Sequence, residues 1–264
     1  MNRCLSAMKI TVITVTYNSE KTLRDTMESV LSQSYNDYEY VVVDGASKDG
    51  TLDIIREYEP RFDDRLRYVS EPDKGIYDAM NKGIRMATGD IVGILNSDDF
   101  YTSNDILEKV AKEFEEDSDL DAVYGDIHFV KENNLNKCTR YFSSRYFRPW
   151  LLCYGFMPAH PSFYCKKAVY ERYGLYDLDY HTSSDFEMMV RLLGKSRIKS
   201  KYINMDFVTM REGGESTAGL ASKRRVNQEI ARSLKANGIY TNQFMQLFRY
   251  VWRIGELIYT KIKY

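Results

Sequence analysis

Ile91-Val92-Gly93-Ile94-Leu95-Asn96-Ser97-Asp98-Asp99 is an apolar run of five residues that passes directly into a polar, acidic turn. Such a run reads as a strand buried on both faces, and an acid pair at its very end is poorly explained by packing. Just upstream, Ile76, Ala79, Met80, Gly83, Ile84 and Ala87 recur at helical spacing, and Gly89 supplies a stop. Further back the same alternation repeats. Residues 10–15 (Ile-Thr-Val-Ile-Thr-Val) predict a buried strand, Leu23, Met27, Val30 and Leu31 a helix, and residues 40–43 (Tyr-Val-Val-Val) a second strand. Leu52, Ile55 and Tyr58 mark another helix, and Arg67-Tyr68-Val69 a short strand. Apolar strands alternating with amphipathic helices predict an α/β fold with a mostly parallel sheet covered on both faces. Ligands of such sheets bind beyond the carboxyl ends of the strands. The polar segments at 17–19, 44–50 and 96–99 all follow strands, so they are expected to converge on one edge.

Beyond residue 100 the pattern loosens. A charged helix over about 105–116 precedes strand-like Ala122-Val123-Tyr124, a polar stretch to Tyr141 and an aromatic-rich segment from Tyr141 to Phe163. Helices are predicted near 167–173 and 184–193. With 264 residues, 44% hydrophobic and 28% charged, the chain has the balance of a globular protein, and no linker or repeat divides it. The net charge of −1 gives no global basic field, so no nucleic-acid partner is expected. Cys4, Cys138, Cys153 and Cys165 form no C-x-x-C pair and have no histidine cluster beside them, which argues against zinc and fits reduced thiols. Residues 1–10 carry no apolar signal segment, and Met8 is an alternative start. No run has the apolar length of a membrane span.

Several residues have chemistry to offer, each with a plainer structural reading beside it. Asp98 and Asp99 supply hard oxygens for Mg²⁺ or Mn²⁺ against a diphosphate, or they cap a turn. Asp185, in Ser183-Ser184-Asp185-Phe186-Glu187, stands near a helix start, as a general base or as a charge favoured by the helix dipole. His160 lies in a loop fixed by Pro158 and Pro161 and faces phosphate, metal or acceptor, or is structural. Lys74 precedes a helix start, where a lysine and free amides suit a phosphate, or it is a solvated turn residue. No G-x-G-x-x-G follows the first strand, and neither a P-loop nor a G-x-S-x-G elbow occurs.

Five blocks in order carry a resemblance. They are residues 12–18 (VITVTYN), 42–51 (VVDGASKDGT), 70–84 (SEPDKGIYDAMNKGI), 87–99 (Ala-Thr-Gly-Asp through Leu-Asn-Ser-Asp-Asp), and 158–162 followed by 184–187. Together they resemble family 2 glycosyltransferases, especially bacterial enzymes of O-antigen and capsule assembly, over about residues 8–220. The resemblance implies a glycosyltransferase A fold, with a Rossmann-like, mostly parallel sheet flanked by helices, and inversion at the anomeric carbon. It places Thr16, Tyr17 and Asn18 in the nucleotide pocket, Asp44 near the base with Ser47 in the same block, and Lys74 beside the donor. Asn96-Ser97-Asp98 occupies the family's D-x-D position; Asn96 replaces its first acid, which leaves Asp98 as the metal ligand. Asp185 matches the catalytic base, and residues 211–216 match a mobile loop. The implied donor is a nucleoside-diphosphate sugar, expected to be a UDP-sugar, and the acceptor is a saccharide on polyprenyl diphosphate.

The catalytic domain is thus expected over 8–220, with a nucleotide half to about 100 and an acceptor half to 220, followed by a helical tail over 221–264. In that tail Phe244, Leu247, Phe248, Val251, Trp252, Gly255, Ile258, Tyr259 and Ile262 share one helical face, with Arg249, Arg253, Lys261 and Lys263 off it. Such a helix suits an anionic membrane surface, through residues 244–264, or packs on the body or on another subunit. The expected location is the cytoplasm, at the inner face of its membrane. A nucleotide-sugar-binding scaffold without catalysis and a nucleotidyltransferase are the competing classes. Retained Asp98 and Asp185 speak against the first. The loop Tyr17-Asn18-Ser19-Glu20, with neither glycine nor a basic residue, speaks against the second.

Overall fold

The computed structural model describes residues 8–213 and 219–263. Nine strands form one sheet: β1 (Ile10–Thr16), β2 (Tyr38–Asp44), β3 (Leu66–Ser70), β4 (Ile91–Ile94), β5 (Phe100–Tyr101), β6 (Ala122–Lys131), β7 (Asn134–Phe142), β8 (Tyr164–Lys166) and β9 (Ser200–Arg211). Their order is β3-β2-β1-β4-β8-β6-β9-β5, with β7 hairpinned onto β6. β1 to β4, β6 and β9 run the same way, and β5, β7 and β8 run against them. This is the α/β, mostly parallel sheet that the sequence predicts.

Helices cover both faces. They are α1 (Leu23–Leu31), α2 (Thr51–Tyr58), α3 (Ile76–Met86), α4 (Ile106–Glu116), α5 (Lys167–Tyr173), α6 (Ser184–Met189), α7 (Gly219–Ala236) and α8 (Gln243–Lys263). Strand side chains alternate between two cores, which is why β1, β2 and β4 are buried along their whole length. Ile10, Val12, Tyr40 and Val42 join Leu23, Met27, Ile55 and Val110 on one face. Ile13, Val15, Val41 and Val43 join Met80, Ile84, Met188 and Leu192 on the other. Gly93 of β4 is needed for this fit: a Cβ there would lie 2.2 Å from the Tyr164 ring on β8.

Register sets the edge where function is expected. Thr16, Asp44 and Ser70 stand opposite one another at the carboxyl ends of β1, β2 and β3. β8 is antiparallel to β4, with Tyr164 opposite Gly93. The segment entering β8, which holds His160, therefore reaches the same edge as the segment leaving β4, which holds Asp98.

The polar stretch before Tyr141 is ordered structure: β6 and β7 form a long hairpin, and β9 adds twelve residues beside β6. The C-terminal region is two helices. α7 buries Ile230 and Leu234 in the second core. α8 lies with its polar side inward. Gln246 and Thr260 are buried, Glu256 faces Arg140 at 3.6 Å, and Thr260 Oγ1 accepts from the Tyr141 amide at 2.9 Å. Part of its apolar stripe points outward, with Phe244 84% and Val251 64% exposed, while Phe248 and Trp252 pack edge-on against Tyr154 and Phe156 of the body. Among the described residues, no helix is long and apolar enough to cross a membrane.

Candidate active site

The three sequence blocks that follow β1, β2 and β3 meet in one cradle. Asn18 takes a left-handed backbone (φ 51°), which turns its amide onto Ser47 Oγ (2.8 Å) and its Oδ1 toward the Lys48 amide (2.9 Å). Asp44 is fully buried. Its Oδ1 accepts from Ser47 Oγ (2.5 Å), and its Oδ2 from the Ser47 amide (3.0 Å) and Ser70 Oγ (2.6 Å). In the chain alone Asp44 is therefore the brace of this loop. Gly45 allows a close approach, since a Cβ there would sit 2.6 Å from Asp73 Oδ2 and 3.3 Å from the Tyr17 ring. Tyr17 is left 61% exposed at the mouth, while Thr16 Oγ1 is buried with no partner. Lys74 is exposed, and its amide donates to Asp78 Oδ2 (3.0 Å) at the start of α3.

The acid pair is built from below. Thr14 Oγ1 donates to the Leu95 carbonyl (2.8 Å), and Thr26 Oγ1 to the Asp99 carbonyl (2.7 Å). Ser97 Oγ pairs with Ser19 Oγ at 2.8 Å, which ties this turn to the first block. Arg211, at the end of β9, donates to the Asp98 carbonyl (2.6 Å) and pairs with Asp25. Burial pushes the Asp98 carboxyl up, and burial together with the charge of Asp98 pushes that of Asp99 up well above the usual range. Asn96 Oδ1 and Asp99 Oδ1 are buried without partners. Half-buried carboxylate oxygen beside orphaned hard oxygens is a donor set that a divalent cation would satisfy. Among the described residues no three His, Cys, Asp or Glu side chains cluster for a metal.

On the other side of the edge stands Asp185, in the first turn of α6. Its Oδ1 accepts from the Phe186 amide (2.8 Å) and from the Tyr77 hydroxyl (3.2 Å) on α3. Tyr77 stacks on Tyr176 at 5.6 Å between centroids, and the Tyr176 hydroxyl shares a 2.5 Å hydrogen bond with His160 Nε2. Asn81 locks the arrangement by bonding the Tyr176 carbonyl (2.8 Å) and amide (2.9 Å). Burial, offset in part by the Asp185 charge, holds the His160 imidazole below its ordinary value, so it stays neutral. Burial and the Asp185 carboxylate push Tyr77 far up, so it remains a donor.

The residues singled out in the sequence thus fall into two groups on one edge: the cradle with the acid turn, and Asp185 with His160. Four partners had no signal of their own. Tyr77 and Asn81 lie inside the third block, where helical periodicity accounts for their neighbours. Tyr176 follows Gly174 in an irregular loop. Arg211 opens the segment matched to a mobile loop, of which residues 214–216 lie outside the described residues.

The comparisons bear on this geometry. A family model described as "Glycosyl transferase family 2" matches residues 11–173. The chain is 28% identical over 210 residues to a PGL/p-HBAD biosynthesis glycosyltransferase of Mycobacterium tuberculosis, covering 80% of this chain and 79% of that one. It is 31% identical to an uncharacterized glycosyltransferase of the same species, covering 70% and 69%. Among solved structures, a mannosyltransferase of Pyrobaculum calidifontis in complex with GDP-Man and Mn²⁺ superposes with a TM-score of 0.65 at 21% identity, over 97% of this chain and 74% of that one. S. aureus TarS 1–349 in complex with UDP-GlcNAc gives 0.63 at 20% identity, over 86% and 66%. In a further S. aureus TarS structure the match spans 44% of that chain. These structures share the glycosyltransferase A fold with this chain.

Proposed function

The chain belongs to glycosyl transferase family 2, and we propose that it moves a sugar from a nucleoside-diphosphate sugar, a UDP-sugar, to a hydroxyl of a saccharide acceptor with inversion at the anomeric carbon. The observation that carries this reading is Asp185: a carboxylate held by Tyr77 and one amide, on the sheet edge that also presents Asp98 and the Tyr17–Asp44 cradle. Thr16, Tyr17, Asn18 and Ser47 line the nucleotide pocket that Asp44 braces, and Lys74 flanks the diphosphate. Asp98, with Asn96 and Ser97 beside it, would hold Mg²⁺ or Mn²⁺, which when bound supplies positive charge against the leaving diphosphate. Asp185 takes the acceptor proton as the hydroxyl oxygen bonds to the anomeric carbon and the bond to the diphosphate oxygen breaks. A single displacement of this kind inverts the anomeric configuration. Neutral His160, fixed through Tyr176, lines the acceptor side.

The outward apolar face of α8 supports a lipid-linked acceptor. A helix that docks through Gln246, Glu256 and Thr260 and leaves Leu247, Val251, Ile254 and Ile258 exposed suits the headgroup region of an anionic bilayer. Arg253 and Lys261, both exposed, add attraction. Such a surface would hold the enzyme beside a saccharide on polyprenyl diphosphate, for cell-surface polysaccharide such as O-antigen or capsule.

The test is nucleotide release from a panel of UDP-, GDP- and dTDP-sugars with Mn²⁺ and a lipid-linked acceptor extract. Metal-dependent release from one donor is expected. Donor binding without release under any acceptor would favour a non-catalytic binder, and binding of no donor would contradict the proposal.

A further inference from the structure

Asp185 sits on a short helix entered from an irregular loop, and a base in such a place needs external support. The support comes from α7, more than forty residues downstream. Glu229 is buried. Its carboxylate accepts from the His181 amide (3.0 Å), the Thr182 amide (2.9 Å) and Thr182 Oγ1 (2.9 Å). Ser183, at the start of α6, makes no side-chain capping bond, so the carboxylate of another helix holds the backbone that leads into α6. Burial alone would raise the Glu229 carboxyl, yet these donors hold it below the usual value. Two neighbours grip the same loop and α6 itself. Arg232 lies 4.0 Å over the Tyr180 ring and donates to the Asp179 carbonyl (2.9 Å), and Asn237 Nδ2 reaches Glu187 Oε1 (3.4 Å). Below them Ile230 and Leu234 anchor α7 in the core.

We infer that α7 is a splint for the base-bearing loop and that Glu229 is a positioning residue for Asp185, acting through the 181–183 backbone. The inference rests on the reading of Asp185 as the base. It makes the C-terminal region part of the catalytic apparatus. Loss of the Glu229 carboxylate leaves the two part-buried amides of His181 and Thr182 without their acceptor, so the loop shifts and carries Asp185 with it. A displacement near 1 Å in a reacting group lowers turnover by up to about a hundredfold. Donor binding, made at the opposite strands, is untouched.

The test uses the full chain with Glu229→Gln and Glu229→Ala, measured for kcat and donor KM beside Asp185→Asn. Glu229→Gln keeps the volume but turns an amide donor toward backbone donors, and it serves if the alanine variant folds poorly. The expected result is a kcat loss of about tenfold to a hundredfold with donor KM unchanged. Placed on Asp185→Asn, the same change should add no further loss to the residual rate, because the effect passes through the base. A kcat equal to that of the unaltered chain in the Glu229 variants, with Asp185→Asn reduced to its residual rate, would overturn this inference alone. So would an equal additional loss on the Asp185→Asn background, which marks a merely structural role. An Asp185→Asn chain of full activity would instead remove the reading of Asp185 on which the inference rests.

Discussion

Asp185 and His160 lie in one bonded cluster yet are tuned differently. Asp185 accepts from a phenol and an adjacent amide, which leaves lone pairs for a substrate hydroxyl. His160 is buried against Tyr176 and kept neutral. The unfolded chain takes up a proton on this histidine near its ordinary 6.5, whereas the folded imidazole resists until lower pH. Stability should therefore fall as pH drops below that value, toward the depressed folded pKa. Urea denaturation between pH 7.5 and 5.5 checks this, and His160→Gln should reduce the loss. Asp98 shows the opposite shift, a carboxyl raised by burial that a nearby cation would lower again. Asp98→Asn is expected to weaken Mn²⁺ binding in the presence of nucleotide by at least about tenfold, measured by titration calorimetry. Unchanged affinity would place the cation elsewhere.

Among elements, the first half of the chain was legible because its signals are simple. β1, β2 and β4 are mostly apolar runs buried on both faces, and α3 shows its stripe from Ile76 to Ala87. The second half was harder. β7 carries Asn134, Asn136 and Lys137 on an exposed hairpin, so its composition reads as loop, and β9 mixes polar and apolar residues because only part of it is covered. The convergence of polar segments on one edge follows from strand direction alone; the Tyr77–Asp185 and Glu229–Thr182 contacts do not, since they join residues 108 and 47 positions apart. Two element-level outcomes are expected. Gly93→Ala would drive a methyl into the Tyr164 ring and should cost about 1–3 kcal/mol in denaturant unfolding. Leu247→Glu with Val251→Glu changes only exposed positions of α8, so folding should persist. Sedimentation with phosphatidylglycerol vesicles should then show binding reduced by about tenfold or more. Vesicle binding unaffected by both charges would assign the stripe to another partner.

At the scale of the whole molecule, one sheet brings the proposed donor cradle and the proposed base to a common edge. β1 to β4 deliver the cradle and the acid turn, and the segment entering β8 with α6 delivers His160 and Asp185. α7 and α8 close the chain back onto the base-bearing loop and the β6–β7 hairpin. With a net charge of −1, the molecule has no overall field to gather a phosphorylated donor. On the proposed function, capture of the nucleotide rests on local groups such as Lys74, the cradle amides and a cation at Asp98. The measurement that tests this arrangement most directly is donor affinity and turnover of Asp185→Asn set against the unaltered chain. The account predicts that transfer falls by about a hundredfold or more while the dissociation constant of the nucleotide sugar is unchanged. Transfer that persists at the original rate, or donor affinity that is lost together with turnover, would contradict it.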